Sequence, residues 1–291
     1  MTSTEPRIGC VGLGHMGTGM ALCLRRAGLP VAAVAHRNRA GIERLLERGG
    51  SEARDVADLL GTSDVLFSCL PNADTVAALV PDVLAHFRPG GLWIDTTTSD
   101  PAVTRDVARR MKDAGIRFAD APVTGGPPEA EAGTLASLVG CAETDWPEVE
   151  ALTGHYSKVV RRFGAPGTGH SAKLLNNLVS QGTMILLAEA FGAARQLGVD
   201  WQALYDAMCS GAARSGTLEK SVGPALEGNF DGSRFTVRNA AKDLRYAAAL
   251  LEDQDRPAAD IVRGLQDYLE RRGAGDRGDL FVSRLLDPEN D

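Results

Sequence analysis

The chain is 291 residues long with a net charge of −7, 44% apolar residues and 24% charged residues. That length predicts two domains, and the composition excludes a disordered or fibrous protein. Basic residues are scattered among acids, so there is no footprint for nucleic acid or an anionic membrane, and no run reaches the ~18 consecutive apolar residues of a membrane span. The five cysteines, Cys10, Cys23, Cys69, Cys141 and Cys209, stand singly without CxxC spacing or a histidine cluster. They predict neither a metal site nor disulfides, and fit small buried hydrophobes in a reducing cytoplasm. The first residues form no secretory apolar segment, which agrees with a cytoplasmic location.

In chain order, short apolar runs come first, at residues 8–13, 31–35, 65–70 and 92–95, separated by segments of helical periodicity such as 20–27, 41–48 and 101–114. This alternation predicts βαβ units around a parallel sheet. Two further strands are expected at 117–119 and 135–139. After Gly169 the β-branched runs disappear and apolar residues recur at helical spacing, so the second half is predicted to be all helical. The boundary falls in Phe163-Gly-Ala-Pro-Gly-Thr-Gly169, a cluster of helix breakers ahead of a long Ala- and Leu-rich helix at about 170–197. The fold class is therefore α/β: a Rossmann-type domain, residues 1–163, followed by an all-α domain, residues 164–291.

Gly12-Leu13-Gly14-His15-Met16-Gly17 follows the first predicted strand and opens the first helix. Strand, glycine turn and helix in that order supply what a pyrophosphate needs: a tight turn, close backbone approach and free N–H groups at a helix N-terminus. NAD-binding versions place an acid at the end of the second strand to accept from the ribose hydroxyls. Here the chain reads Ala35-His36-Arg37-Asn38-Arg39, with no acid and two guanidinium groups, which favours the 2′-phosphate of NADP over NAD. Two later loops at predicted strand ends, Leu70-Pro71-Asn72 and Asp95-Thr96-Thr97-Thr98-Ser99, fit equally a lining for the nicotinamide ribose and plain turn or capping residues.

Asp120-Ala-Pro-Val-Thr124-Gly125-Gly126 cannot be a regular element. Its paired glycines expose backbone N–H groups beside a threonine hydroxyl, which suits a carboxylate cradle as well as a structural turn. Further on, Lys173 and Asn177 lie four apart on the predicted long helix, so ammonium and carboxamide share one face, as Lys173 and Asn176 also do. The flanking Leu174, Leu175, Leu178 and Val179 predict that much of this helix is buried. A lysine held among apolar walls near a cationic nicotinamide has its pKa lowered and can accept a hydroxyl proton, whereas a lysine snorkelling to the surface cannot.

These residues, with Gly133-Thr-Leu, Gly164 to Asn177, Lys242-Asp243-Leu244 and Gly273 to Asp279, occur in the order seen in β-hydroxyacid dehydrogenases, and the sequence resembles that family over almost its whole length. The family includes 3-hydroxyisobutyrate dehydrogenases and tartronate, glyoxylate and succinic semialdehyde reductases. The resemblance implies NAD(P) as cofactor, a small hydroxy acid or semialdehyde as substrate, and a long interdomain helix. It also implies a helical domain that makes a homodimer or higher homo-oligomer. It assigns Lys173 as the acid/base, Thr124, Gly125, Gly126 and Asn177 to the substrate, and Lys242 to the neighbourhood of cofactor and substrate. Departures are Thr124 in place of the usual serine, His36 and Asn38 in place of asparagine and threonine, and Cys141 in place of a second glycine. Imine reductases and non-catalytic NADP-binding relatives share the architecture, but they tend to lack the lysine present here.

Overall fold

The computed structural model describes residues 5–35, 38–273 and 275–290. Two compact units are present, residues 1–173 and 174–291.

The first unit opens with β1 (Ile8–Val11), α1 (His15–Arg26), β2 (Val31–Ala33), α2 (Ala40–Glu47), β3 (Ser51–Glu52), α3 (Val56–Thr62), β4 (Val65–Ser68), α4 (Ala73–His86), β5 (Leu92–Asp95) and α5 (Pro101–Asp113). It continues with β6 (Arg117–Asp120), β7 (Val123–Thr124), α6 (Pro127–Ala132), β8 (Leu135–Cys141), α7 (Trp146–Gly154) and β9 (Ser157–Gly164), and ends in the first turns of α8 (Thr168–Leu197). Strands β3-β2-β1-β4-β5-β6 are parallel neighbours. The doubly wound sheet expected from alternating strands and helices is therefore present. Past β6 it turns mixed: β6 and β7 pair in succession, antiparallel, along one side of β8, and β9 pairs parallel along the other.

Burial explains why these segments are strands. β4 and β5 are buried at every position, as expected of central parallel strands covered on both faces by helices. One core gathers Ile8, Leu24, Val31, Ile42, Phe67, Leu135 and Tyr156, and another gathers Leu66, Val80, Trp93, Met111 and Phe118. Trp93 and Phe118 meet edge to face at 5.2 Å between ring centres. The first three predicted strands are each two residues too long: Gly12 turns at φ +97°, β2 ends at Ala33, and the chain after Ser68 leaves the sheet toward α4. Strand β9 has no counterpart among the predicted strands. Its Lys158, Arg161 and Arg162 give it a mostly exposed surface, so no apolar alternation marks it.

The second unit consists of the rest of α8, then α9 (Trp201–Ser210), α10 (Gly216–Leu226), α11 (Val237–Asp253) and α12 (Ala259–Arg272), followed by short 3₁₀ turns. An isolated bridge joins Thr236 to Phe281, and among the described residues no named strand lies beyond β9. Side chains cap several of these helices: Asp200, Ser215 and Thr236 accept the N–H groups of Ala203, Leu218 and Asn239. Among the described residues no helix is long and apolar enough to cross a membrane.

The start of β1 is tied to the start of β4 by charge. Arg7 donates to Asp64 from its backbone N–H and from Nε, both at 3.0 Å, and from Nη2 at 3.1 Å, and Arg88 lies 3.3 Å away. The hydrogen bond from Arg7 is the main reason the Asp64 carboxyl is held down at about 2. A depressed carboxyl adds stability above its unfolded pKa of ~3.9, and that stability is lost as pH falls toward 2. Asp64→Asn is expected to lower Tm at neutral pH by about 2–4 °C, since the pair is partly solvent-screened. The gap to wild type should close between ~pH 4 and 2. A gap that persists unchanged at pH 2 would assign the loss to packing instead of charge.

Candidate active site

The glycine turn between β1 and α1 has three glycines in three different situations. Gly12 sits at φ +97°, and a Cβ there would collide with the Cys69 carbonyl oxygen. Gly14 faces open space, with nothing within 4 Å of a Cβ built on it. A Cβ on Gly17 would run into the Gly12 carbonyl oxygen. The first glycine thus makes the turn, the second leaves room for a ligand to reach the backbone, and the third lets helix pack on turn.

The N-terminus of α1 is also chemically open. Gly14 is its N-cap, with no side-chain cap and no acid in the first turn, whereas Asp55, Asn72 and Asp100 cap α3, α4 and α5. The first N–H groups of α1, aligned with its dipole, remain available for a phosphate. Residues present therefore fit a dinucleotide. Leu13 and Met16 are half-buried beside this turn, and His15 is exposed at the helix start.

His36 and Arg37 lie outside the described residues. Asn38 is exposed, and its Oδ1 accepts the Ala40 N–H at 2.9 Å ahead of α2. Arg39, the second guanidinium of that loop, makes a two-pronged pair with Glu52 at 3.0 and 2.9 Å. It is engaged by an acid on β3.

The ends of β4 and β5 bring the next two loops together beside the glycine turn. Leu70 N–H donates to Thr97 Oγ1 at 2.9 Å, and Leu70 Cδ2 lies 3.3 Å from where a Cβ on Gly12 would stand. Trp93 Nε1 donates to Ser68 Oγ, which donates to Asp95 Oδ1, both at 2.8 Å, and the Thr97 N–H also reaches that oxygen at 3.2 Å. Thr97 is buried and helps to hold the loop; Thr98 is half-buried and Pro71 exposed. Asn72 forms a capping box with Thr75 at the start of α4.

The Thr124-Gly125-Gly126 loop connects β7 to α6. Thr124 is half-buried on the edge of β8, and Gly125 adopts φ +115°, a conformation that glycine alone adopts without strain. The Gly126 N–H donates to Glu129 Oε2 at 2.8 Å as the N-cap of α6. One of the donors expected to meet a carboxylate is thus taken by this chain's own acid.

The α8 segment of the first unit holds Lys173, which is only 9% exposed. The helix starts against Asp120, whose Oδ1 and Oδ2 accept the N–H groups of Gly167 and His170 at 2.6 and 2.7 Å. Burial pushes the Asp120 carboxyl up to about 7, with those two donors opposing the rise and the charge of Asp95 adding to it. His170 is buried, with Nδ1 2.7 Å from Thr104 Oγ1 and Nε2 3.9 Å from Asp95 Oδ2. Farther along the helix only one face is covered. Leu174 and Asn177 are buried, but Leu175 and Val179 are 45% and 69% exposed, and Asn176 is also exposed. The expected general burial of this segment thus narrows to the stripe that carries Lys173, Leu174 and Asn177.

Within the second unit, Asn177 Nδ2 donates to Asp243 Oδ2 at 2.6 Å, and Lys242 Nζ lies 3.3 Å from Asp243 Oδ1. Asn176 Nδ2 donates to Asn177 Oδ1 at 3.1 Å. The carboxamide of Asn177 is therefore held at both ends. Asp243, 2% exposed, is a residue whose part the sequence reading did not identify. The signal was its place beside Lys242, since an acid inside a helix is seldom buried without a partner.

Residues 7–164 match the NAD binding domain of 6-phosphogluconate dehydrogenase, and residues 167–286 match the NAD-binding region of NADP-dependent 3-hydroxyisobutyrate dehydrogenase. The chain belongs to the β-hydroxyacid dehydrogenase family, of the 3-hydroxyisobutyrate dehydrogenase type. The NAD-dependent L-serine dehydrogenase of Pseudomonas aeruginosa is 30% identical over 293 residues, covering 97% of this chain and 98% of that one. The mitochondrial 3-hydroxyisobutyrate dehydrogenase of Drosophila melanogaster is 30% identical over 291 residues, covering 97% and 90%. The structure of Mycobacterium tuberculosis 3-hydroxyisobutyrate dehydrogenase with L-serine superposes with a TM-score of 0.88 at 27% identity, covering 97% of this chain and 98% of that one. This chain is accordingly an NAD(P)-dependent oxidoreductase of the hydroxyacid dehydrogenase kind.

The three glycine situations predict two different phenotypes. Gly14→Ala, placed in open space, should leave Tm unchanged while weakening NAD(P)H about tenfold or more by crowding the approach to the N–H groups. Gly17→Ala should lower Tm as well, because its methyl meets backbone. Thermal melts and cofactor fluorescence titrations on both variants check this. Equal Tm losses would show that Gly14 is a packing residue.

Proposed function

We propose that the chain transfers a hydride between NADP and a small 3-hydroxy acid or its semialdehyde, with Lys173 as the proton-transferring group. The observation that carries this reading is a lysine 9% exposed in the first turns of a helix, where a cation gains nothing from the helix dipole. Serine and 3-hydroxyisobutyrate, the compounds in the relatives' names, are both 3-hydroxy acids.

Thr124 Oγ and the backbone of Gly125 and Gly126 receive the substrate carboxylate, with Glu129 giving up the Gly126 N–H as the acid arrives. The threonine methyl narrows this cradle relative to the serine usual in the family. Lys173 Nζ and the Asn177 carboxamide, four residues apart on α8, hold the substrate hydroxyl from one side. Lys173 takes the hydroxyl proton in the oxidative direction and returns it in the reductive one. When bound, the nicotinamide supplies the hydride chemistry, and the protein contributes alignment and proton transfer. Asp243 keeps the Asn177 amide turned, so its carboxamide does not have to be ordered when substrate binds.

Lys173→Ala is expected to lower kcat by roughly 10²-fold or more and to leave NADPH binding nearly intact, because positioned proton transfer contributes ~10² to 10⁴. A panel of 3-hydroxy acids with NADP and of semialdehydes with NADPH provides the assay. Near wild-type turnover by the variant across pH would remove the lysine from the mechanism.

Preference for NADP rests on Arg37 and on the absence of an acid at the end of β2, since Arg39 is engaged by Glu52. Arg37→Glu should weaken NADPH at least tenfold more than NADH, by placing a carboxylate where a 2′-phosphate is to bind. Equal losses for both cofactors, measured by titration, would count against a 2′-phosphate contact.

A further inference from the structure

We infer that Asp120, braced by His170, is a positioning residue that sets the start of α8 and thereby the place of Lys173. This inference rests on the reading of Lys173 as the proton-transferring group.

The first N–H groups of a helix need acceptors, which a side chain just before the helix usually provides. Here the acceptor comes from β6, 47 and 50 residues earlier in the chain, and one fully buried carboxylate takes both the Gly167 and the His170 N–H groups. Lys173 follows His170 by three residues, one turn on. Two short bonds to the separate oxygens of one carboxyl group fix rotation about the helix axis as well as translation along it. A single neutral cap would leave the rotation freer.

The surroundings allow the clamp no slack. Asp120 pairs with Gly140 across the sheet, and a Cβ on Gly140 would come within 2.5 Å of Asp120 Oδ1 and 2.8 Å of the Gly169 nitrogen. A Cβ on Gly169 would stand 2.8 Å from Asp120 Oδ2 and collide with the Leu138 carbonyl. Strand β8 and the first turn of α8 therefore meet backbone to backbone around this carboxylate. His170 adds a second hold on the same turn. Thr104 Oγ1 donates its one proton to the Asp100 carbonyl at 2.8 Å, so the ring donates to Thr104 from Nδ1. The opposite ring nitrogen faces Asp95.

Burying a carboxylate is costly, and an apolar strand end would serve the sheet better. What the carboxylate adds is placement of the helix start, and a displacement of about 1 Å at a reacting group can lower a rate ~10²-fold.

The test is a double-mutant cycle over wild type, Asp120→Asn, Lys173→Ala and the double variant, with kcat, cofactor Kd and Tm measured for each. Asparagine keeps one acceptor and turns an NH₂ against the other backbone N–H. Asp120→Asn should lower kcat about 10- to 100-fold with cofactor Kd nearly unchanged, and should change the residual rate of Lys173→Ala less than about twofold. An equal kcat factor in both backgrounds overturns the inference, as does a lowered Tm with wild-type kcat. Lys173→Ala at wild-type rate would instead remove the lysine reading, and the inference with it. Should Asp120→Asn not fold, the isosteric Thr104→Val, which removes the His170 hold together with the local bond to the Asp100 carbonyl at the start of α5, goes through the same cycle. A few-fold loss of kcat that vanishes without the lysine supports the inference, and a loss of the same factor in both backgrounds overturns it.

Discussion

Backbone atoms that touch without a side chain between them govern the first unit. Gly17 rests on the carbonyl of Gly12, Gly12 on that of Cys69, and Gly19 of α1 has no room for a Cβ against the backbone of Ala130 in α6. These contacts seat α1 directly over the end of β1 and bring α6 against it. The carboxyl ends of β1, β4 and β5 are then left open as a crevice, where parallel sheets bind their ligands. A methyl at any of the three glycines would lift the helix, and its unsatisfied N–H groups with it.

Buried acids do a second kind of structural work. Asp95 gathers Ser68 and Thr97 at the ends of two strands, Asp120 receives the start of α8, and Asp243 holds the carboxamide of Asn177. Each is 2% exposed or less, and each takes donors from segments distant in sequence. In a low-dielectric interior such bonds are stronger and more directional than at the surface, which suits parts that must hold a reacting group still.

Much of this was legible in the residues. Glycine spacing marked the turn, and apolar runs marked the central strands, because a strand buried on both faces leaves a continuous signal. The signal overran at Leu13 and Leu70, since an apolar side chain in a loop beside the core reads like one more strand residue. Strands β3 and β7, two residues each, were too short to show, and β9 is polar on most of its length. In the candidate site, Lys173 and Asn177 stood out by helical spacing. Asp120 and Asp243 did not, because their importance comes from partners brought together only by folding, 47 and 66 residues away.

Strand β9 carries a consequence of its own. Among the described residues it pairs with β8 alone, and it is mostly exposed, with Val159 and Phe163 37% and 51% exposed. An outer strand with apolar side chains and free backbone groups is a template on which a second sheet can grow. Lys158, Arg161 and Arg162 are interleaved with those apolar residues, and Arg162 reaches across to the Cys141 carbonyl. Two such strands approaching one another bring six positive charges into one ribbon. Mutual repulsion at this rim opposes the edge-to-edge pairing of two copies, a consequence of charge placement unconnected with any substrate.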